Sequence, residues 1–398
     1  MRDTKSQVNR IAATLVLTLL LLPLLANSAS ASASRPARSN AVRANALTAD
    51  ALQLRTTREI DAWAAWLKTN NARGFVGEVG WPSDDPRWNT LADSWFTAAD
   101  TAGIAVTTWV SGEWSASHQM ASYTRSSNAV VAIDTARSNA LIAEGHFAKT
   151  TAMRGTNVTG PEMGAASVEA TSQFSNVNYG WLDHTYHYDT AATYRYLAGR
   201  GVRTVRMPFR WERVQRTPFG PLDAAEMSRL ATAVHDARDA GLQVILDMHN
   251  FAGYYLANPA TGLGERRVIG SPELPINAFT DVWAKLAGYF AGDSAVTAFG
   301  LMNEPTGMSA RGRKTPARVW EQASQQAVNV IRAAGDARMI MVPGYQWSNL
   351  NGWAANHPVS WIKDPAKNFQ YEAHQYFDAQ HTGIYRSYDE EVAAVVAG

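Results

Sequence analysis

Two glutamates in this sequence have the setting of a catalytic pair. Glu78 ends the short apolar run "GFVGE", and Gly77 and Gly80 beside it let backbone or ligand come close. Glu304 ends a second apolar run, and Pro305 after it cannot continue a β-ladder, so the chain turns away there. Two carboxyl groups facing one cleft, one protonated and one ionised, are what cleavage of a glycosidic bond requires.

Other candidate strands also end in polar or aromatic residues. They are Trp109, Arg206, His249, Asn303, His374 and Tyr376. Arg206 could hold one glutamate ionised through charge-assisted hydrogen bonds. His249, His374 and Tyr376 supply neutral donors around a sugar and its carboxylates. Asn303 can reach a ring hydroxyl, and Trp109 offers a face for the ring itself.

Other kinds of active site find less support in the sequence. Asp247, His249, Glu372 and His374 could be metal ligands, but only His374 is an obvious third ligand for the Asp247/His249 pair, and no HExxH motif is present. A serine-hydrolase G-x-S-x-G elbow is also missing, as is a glycine-rich phosphate loop after a strand. We therefore expect no metal and no cofactor in the reaction.

The elements that must position these residues alternate along the chain. Short β-rich runs and longer helical patterns follow one another, which is typical of a parallel α/β fold. Eight strands are predicted, at 74–78, 104–110, 152–158, 202–209, 242–249, 295–303, 337–343 and 369–376. Eight strand–helix units in this length favour a (β/α)8 TIM barrel, whose strand C-termini all open onto one face.

Composition narrows the class of partner. The 398 residues are 46% hydrophobic, so the chain can bury a large core. The net charge of +1 makes nucleic acid or a charged membrane surface a poor partner. The absence of cysteine excludes disulfides and thiolate chemistry. The fourteen tryptophans suggest platforms for flat ligands such as sugar rings, and we expect a monomer with no stable membrane partner.

The first residues predict export. Residues 1–34 have a basic start, an apolar run and the small-residue stretch "ANSASASAS", as in a signal peptide. The apolar run is shorter than the ~20 residues of a membrane span, although an uncleaved anchor is the alternative. Residues 35–50 are predicted to be a disordered lead-in, and 51–398 the catalytic domain of a secreted, extracellular protein.

The strand-end motifs together resemble glycoside hydrolase family 5, the cellulase family. They are "GFVGEVG", "VTTWVSGEW", "RGTNVTGPEMG", "VRMPFRW", "LDMHN", "LMNEP" and "EAHQYFD". The resemblance covers residues 51–398. It implies that Glu304 is the general acid/base and Glu78 the nucleophile. It also assigns Arg206 and Tyr376 to catalysis, and His249, Asn303, His374 and Trp109 to substrate binding.

The order of the motifs differs from the family order. The strands that resemble the family's seventh and eighth come first here, before those that resemble its first to sixth. We therefore predict a circularly permuted barrel, which a closed barrel tolerates because its natural ends are neighbours. The alternative is a fragment of a tandem or misassembled reading frame.

The resemblance implies a retaining endo-β-1,4-glucanase that hydrolyses internal bonds of a β-linked polysaccharide or oligosaccharide by double displacement. A β-mannanase or another β-glycanase on the same site is the first alternative. A non-catalytic glycan-binding protein is the second, although binding alone does not need both Glu78 and Glu304.

Overall fold

The structure, a computed structural model, describes residues 37–126, 132–164 and 174–398, and only the backbone of 37–50. Residues 45–398 form one compact unit. The strands are β1 (Gly74–Gly80), β2 (Ala105–Ser111), β3 (Tyr123–Thr124), β4 (Thr135–Ala136), β5 (Arg154–Val158), β6 (Thr204–Phe209), β7 (Gln243–Met248), β8 (Gly253–Ala257), β9 (Gly264–Val268), β10 (Val296–Gly300), β11 (Met339–Pro343) and β12 (Phe369–Tyr376).

Helices separate the strands of this unit. They are α1 (Ala37–Thr69), α2 (Pro86–Thr101), α3 (Ser138–Glu144), α4 (Ala191–Gly199), α5 (Trp211–Val214), α6 (Ala224–Asp239), α7 (Ile276–Tyr289), α8 (Pro316–Ala333), α9 (Trp353–Asn356) and α10 (Tyr388–Ala397). In the described part of the chain, no helix combines the length and the apolar character needed to cross a membrane.

Eight of the strands close into one parallel barrel. Around it they follow chain order, β1, β2, β5, β6, β7, β10, β11 and β12, and β12 pairs with β1 to complete the circle. Each of these strands overlaps one of the eight predicted from the sequence, so the (β/α)8 fold is confirmed. The pairing of β1 with both β12 and β2, and of β2 with β5, was also expected.

The sequence explains where the helices begin and end. α8 turns one apolar face to the barrel, and its periodic residues Val319, Ala323, Val328 and Ile331 are all buried. α4 and α6 are followed by glycines with φ of +87°, a left-handed conformation that glycine adopts without strain. The next strand starts within a few residues, as expected.

The core has an inner and an outer part. Inside the barrel, Phe75, Ala105, Ile245, Ala298 and Met341 form a small apolar cluster contributed by five strands. The larger cluster lies between strands and helices and holds most of the aromatic residues. Seven tryptophans are fully buried there, namely Trp63, Trp81, Trp88, Trp95, Trp211, Trp283 and Trp320. The tryptophan content therefore reflects core packing more than sugar binding, and that interpretation of the composition was wrong for these seven.

Other features differ from the sequence prediction or lie outside it. The antiparallel hairpins β8–β9 and β3–β4 were not predicted, since they are short and lie outside the barrel. Helix α1 begins at Ala37, inside the segment 35–50 expected to be a lead-in, where the alanine-rich sequence suits a helix. The signal peptide assigned to 1–34 lies outside the described residues, and the division of the first 50 residues stays a prediction.

Candidate functional site

The two glutamates come from opposite ends of the chain to one end of the barrel. Glu78 lies in β1 opposite His374 of β12, next to a register shift in β1. Glu304 follows β10 with a φ of +44°. One oxygen of Glu78 and one of Glu304 lie within 4.8 Å of each other and of a ring nitrogen of His374.

Glu78 is held in its ionised form. Arg206 Nη1 donates to its Oε1 at 3.1 Å, as predicted, and the Tyr376 hydroxyl donates to its Oε2 at 2.6 Å. Burial alone would raise the pKa of Glu78. The positive charges of His374 and Arg206 outweigh burial and hold that pKa below its usual range.

The surroundings of Glu304 favour its protonated form, because its pKa is raised. Burial raises the pKa of its carboxyl group, the hydrogen bond from His374 opposes that rise, and the charge of Glu78 adds to it. The two glutamates therefore have pKa values displaced in opposite directions. A pair displaced in this way can divide the roles of acid and base between its members.

His374 bridges the two glutamates. Its Nδ1 lies 2.8 Å from Glu304 Oε1 and 3.6 Å from Glu78 Oε2, and its Nε2 lies 3.4 Å from Glu372 Oε1. Burial would lower the pKa of His374, but these three carboxyl groups raise it to about 10. His374 is therefore a cation that donates protons, whereas the sequence analysis expected a neutral donor.

Beneath the pair lies an acidic layer whose role the sequence analysis missed. Arg206 Nη2 is 2.9 Å from Asp247 Oδ1 and 3.0 Å from Glu372 Oε1, and all three side chains are fully buried. Burial raises the pKa of Asp247 to about 8, against the charge of Arg206. Strand alternation was the available signal, since Glu372 lies two residues before His374 and shares its face of β12.

One glycine and one asparagine allow these buried side chains to pack so closely. A Cβ on Gly77 would lie 2.1 Å from Glu372 Oε1, so only glycine fits in β1 beside that carboxyl group. Asn157, which ends β5, accepts a hydrogen bond from Arg206 through Oδ1 and donates to Gly77 O through Nδ2.

His249 and Asn303 are uncharged members of the same hydrogen-bond network. His249 Nδ1 lies 2.9 Å from Asp247 Oδ2, and Asn303 Nδ2 donates to His249 Nε2 at 3.1 Å. Burial lowers the pKa of His249 to about 3, so it stays uncharged. Asn303 Oδ1 accepts from Arg206 Nη2 at 2.8 Å. Both polar ends of Asn303 are thus engaged by protein groups.

An open cleft of about 510 Å³ lies over the pair. Of the eight residues predicted from the sequence, six line it, namely Glu78, Trp109, His249, Asn303, Glu304 and Tyr376, whereas Arg206 and His374 support it from below. Further lining residues were missed, namely His118, Met120, Phe251, Trp347, Asn349 and residues 380–384. They lie on loops after the strands, where one sequence gives no positional signal.

The two glutamates and His374 have the spacing of a metal-binding cluster. Glu78, Glu304 and His374 place one ligand atom each within 4.8 Å. However, the Arg206 guanidinium already pairs with Glu78, and the His374 imidazolium pairs with Glu304. The carboxyl groups of this cluster therefore already have cationic partners.

A protein-family model described as cellulase (glycosyl hydrolase family 5) matches residues 159–395, more than half of the chain. The chain belongs to this family. The match includes six of the eight predicted site residues but neither Glu78 nor Trp109, which precede it. It begins immediately after β5, so three strands of the closed barrel lie outside it.

Relatives in the cellulase family are named endoglucanases. The manganese dependent endoglucanase Eg5A of Phanerodontia chrysosporium is 26% identical over 233 residues, covering 56% of this chain and 55% of that protein. Endo-beta-1,4-glucanase B of Aspergillus niger is 28% identical over 219 residues, covering 54% and 60%. The chain thus spans little more than half the length of the curated relatives it matches.

A solved structure in the family shows the same kind of partial match. Pseudomonas stutzeri endoglucanase Cel5A is 30% identical with a TM-score of 0.50, over 62% of this chain and 71% of that one. The same enzyme in complex with cellobiose is 31% identical with a TM-score of 0.50, over 59% and 63%.

Replacing Arg206 by methionine tests the charge balance of this cellulase-family site. The change leaves buried carboxyl groups without their cation, so we expect the free energy of unfolding to fall by about 3–5 kcal/mol near neutral pH. In the wild type, the lowered pKa of Glu78 contributes stability above its unfolded value, and this is lost as pH falls. In the variant the carboxyl pKa values rise instead, so its deficit against wild type should shrink as pH falls.

Urea unfolding between about pH 5 and pH 8 measures this difference. Arg238→Met is the matched control, since Arg238 pairs with Asp239 on the surface and should cost about 1 kcal/mol or less. A deficit of Arg206→Met that stays constant across this pH range would contradict the account.

Proposed function

We propose that the protein is a retaining endo-β-1,4-glucanase acting by double displacement. The observation that carries the proposal is the opposite displacement of the Glu78 and Glu304 pKa values at one cleft. An oxygen-to-oxygen approach within 4.8 Å supports the short carboxyl spacing of retaining enzymes, about 5–5.5 Å, over the wider spacing of inverting ones.

In the proposed first step, ionised Glu78 attacks the anomeric carbon while Glu304 gives its proton to the leaving glycosidic oxygen. A covalent glycosyl–Glu78 ester forms, and the shortened chain departs. Arg206 and Tyr376 keep Glu78 ionised and aimed, since they bond to its two oxygens. Their hydrogen bonds weaken as the carboxylate charge of Glu78 is consumed in the new bond to the anomeric carbon, while the leaving oxygen takes the electron pair of the broken bond and the proton of Glu304.

In the second step, Glu304 is the base. It has lost its proton, so it can take one from a water molecule that attacks the anomeric carbon and displaces Glu78. The His374 imidazolium lies next to both glutamates and can stabilise whichever one is ionised. This shared cation links the two steps, since negative charge moves from Glu78 to Glu304 and back.

The substrate class is proposed from the cleft and from the relatives. Trp109, Phe251 and Trp347 present aromatic surface along an open cleft, which suits a polymer bound in its middle. The relatives are named endoglucanases and endo-beta-1,4-glucanases. β-Mannan is the second candidate, because the residues around the glutamates serve either sugar. Export, an extracellular location and a monomeric state remain predictions from the sequence.

We also infer that the chain is a circular permutation of the family order. The sequence-order match leaves out β1, β2 and β5, although all three belong to the closed barrel. Both ends of the domain contact the segment after β12. Arg55 of α1 donates to Phe377 O and Asp378 O, and Glu391 of α10 accepts from Ala379 N. This placement supports the idea that α1 and α10 together occupy the position of one family helix.

Reducing-sugar release from carboxymethylcellulose, mannan and xyloglucan tests the activity. We expect release from the glucan with a rapid fall in viscosity, because internal cleavage shortens chains early. Faster release from mannan would favour the second candidate. Binding of these polymers without any release would instead favour the non-catalytic alternative.

Azide rescue separates the two glutamates. Glu304→Ala should lower turnover of unactivated glucan by about 10²–10⁴-fold, yet still form the glycosyl-enzyme from substrates with good leaving groups. Azide should then speed turnover and give a β-glycosyl azide. Glu78→Ala should give the α-azide, since azide replaces the nucleophile. The configuration measured by NMR decides the roles, and the opposite pattern would mean that they are swapped.

Rejoining the chain tests the permutation. A variant with residues 1–50 in place, then 151–398, a Gly/Ser linker and 51–150 should fold to the same barrel, since few contacts are lost. We expect matching circular dichroism and activity on the best polymer substrate. A control cut inside β6 should fail to fold. If both rejoined chains fail, the order of elements is not a simple permutation.

A further inference from the structure

A second group of acidic and imidazole side chains lies outside the catalytic cleft. Glu113 follows β2, and His187 and Asp189 precede α4. Each offers one ligand-type atom, and these three atoms lie within 4.8 Å of one another. The proposed reaction uses none of them.

Glu113 is rigidly held with one oxygen turned towards His187. Its Oε1 accepts hydrogen bonds from Thr190 N, Thr190 Oγ1 and Thr193 Oγ1, which fixes the carboxyl group at the start of α4. Its Oε2 lies 3.2 Å from His187 Nε2. Two ligand atoms that are each about 2.1 Å from a metal ion at a tetrahedral or octahedral angle are about 3.0–3.4 Å apart. The Glu113–His187 spacing falls within that range.

His187 has the setting of a metal-ligating histidine. Its Nδ1 lies 2.8 Å from Asp183 Oδ1, and a carboxylate on the outer ring nitrogen is the usual support for a histidine ligand. Its ring is stacked on Trp114, with the planes 5° apart. Both contacts fix the orientation of Nε2, which faces Glu113.

Asp189 gives separate evidence that this group binds a cation. It is 5% exposed, and its Oδ1 accepts from Glu113 N at 2.9 Å. Its Oδ2 is buried without a hydrogen-bond partner among the described residues, as is Oε1 of neighbouring Glu162. Burial raises the pKa of Asp189 to about 7. An unsatisfied buried carboxyl oxygen costs free energy, which a bound cation would recover.

No lysine or arginine side chain provides that cation. In the part of the chain that the structure describes, His187 is the only basic residue in a salt bridge with Glu113, and Asp189 has none. The Arg125 guanidinium donates a hydrogen bond to the backbone oxygen of Glu113 and not to its carboxyl group. This distinguishes the group from the catalytic pair, where the Arg206 guanidinium is already present. Here the partner of Glu113 is the His187 imidazole, which would release its proton on binding a metal ion.

We propose that Glu113, His187 and Asp189 bind a first-row divalent transition-metal ion such as Zn²⁺, which ties the segment after β2 to the segment before α4. One imidazole nitrogen with two carboxyl oxygens suits such an ion better than Ca²⁺ or Mg²⁺, which prefer oxygen ligands alone. A cavity of about 470 Å³, lined by Glu113 and Trp114, lies beside this group. The role is structural, because the site does not contact the catalytic glutamates.

Calorimetric titration of chelator-treated full-length protein with ZnCl₂ tests the site, with MgCl₂ as the control ion. We expect one tight Zn²⁺ per chain, a higher Tm with Zn²⁺, and no comparable effect of Mg²⁺. Asp189→Asn and His187→Gln should each weaken Zn²⁺ binding by about 100-fold or more, and Asp183→Asn by about 10–100-fold. The matched control is Glu304→Gln, which alters the catalytic cluster and should keep the ion.

Far-UV circular dichroism establishes that each variant folds, and His187→Gln serves if Asp189→Asn does not. Wild-type protein that binds no Zn²⁺ would overturn the proposal, with Asp189 then simply protonated. So would retention of the ion by both His187→Gln and Asp189→Asn. Loss of the ion in Glu304→Gln alone would place it at the catalytic pair instead.

Discussion

The guanidinium of Arg206 is the group on which the rest of the site depends. It is fully buried inside the barrel and lies within 3.1 Å of carboxyl oxygens from β1, β7 and β12. A buried cation is costly unless it is paired, and buried carboxylates are costly for the same reason. The buried arginine and the buried carboxylates therefore each need the other as a charge partner. Arginine suits the position because it stays charged and its planar fork reaches several acceptors at once.

This charge balance sets the protonation of every neighbour. Arg206 and His374 supply positive charge, and the carboxyl groups nearest to them stay ionised. Burial prevails at two other groups: it raises the pKa of Asp247 to about 8, although Arg206 lies 2.9 Å away, and lowers the pKa of His249 to about 3. Glu304 lies at the edge of the cluster with its pKa raised. Reactivity at the cleft is thus a property of the whole buried network and not of two glutamates alone.

The barrel could be predicted from strand periodicity, and the eight candidate site residues were chosen from their positions near strand ends, whereas their roles remain predictions from the family resemblance. Side chains near the C-termini of parallel strands meet at one face of a barrel, and six of the eight candidates line the cleft there, whereas Arg206 lies deeper, inside the barrel. The sequence could not predict the charge of His374, which depends on three carboxyl groups brought from elsewhere in the chain. Nor could it separate core tryptophans such as Trp283 from cleft residues such as Trp347, since both are simply tryptophans until packing is known. Loop residues after the strands were missed for the same reason.

The pairing of β1 with β12 also constrains when the barrel of each newly synthesised chain can close. Tyr376 and Glu78 are 298 residues apart in the chain, so their hydrogen bond forms only when nearly all of the chain is available. During synthesis β1 emerges early and can pair with β2, but its other edge has no partner until β12 arrives. A molecule interrupted before β12 therefore carries an open strand edge and lacks His374 and Tyr376, which contact Glu78. The closed sheet and the complete surroundings of Glu78 therefore form in the same step, when β12 pairs with β1.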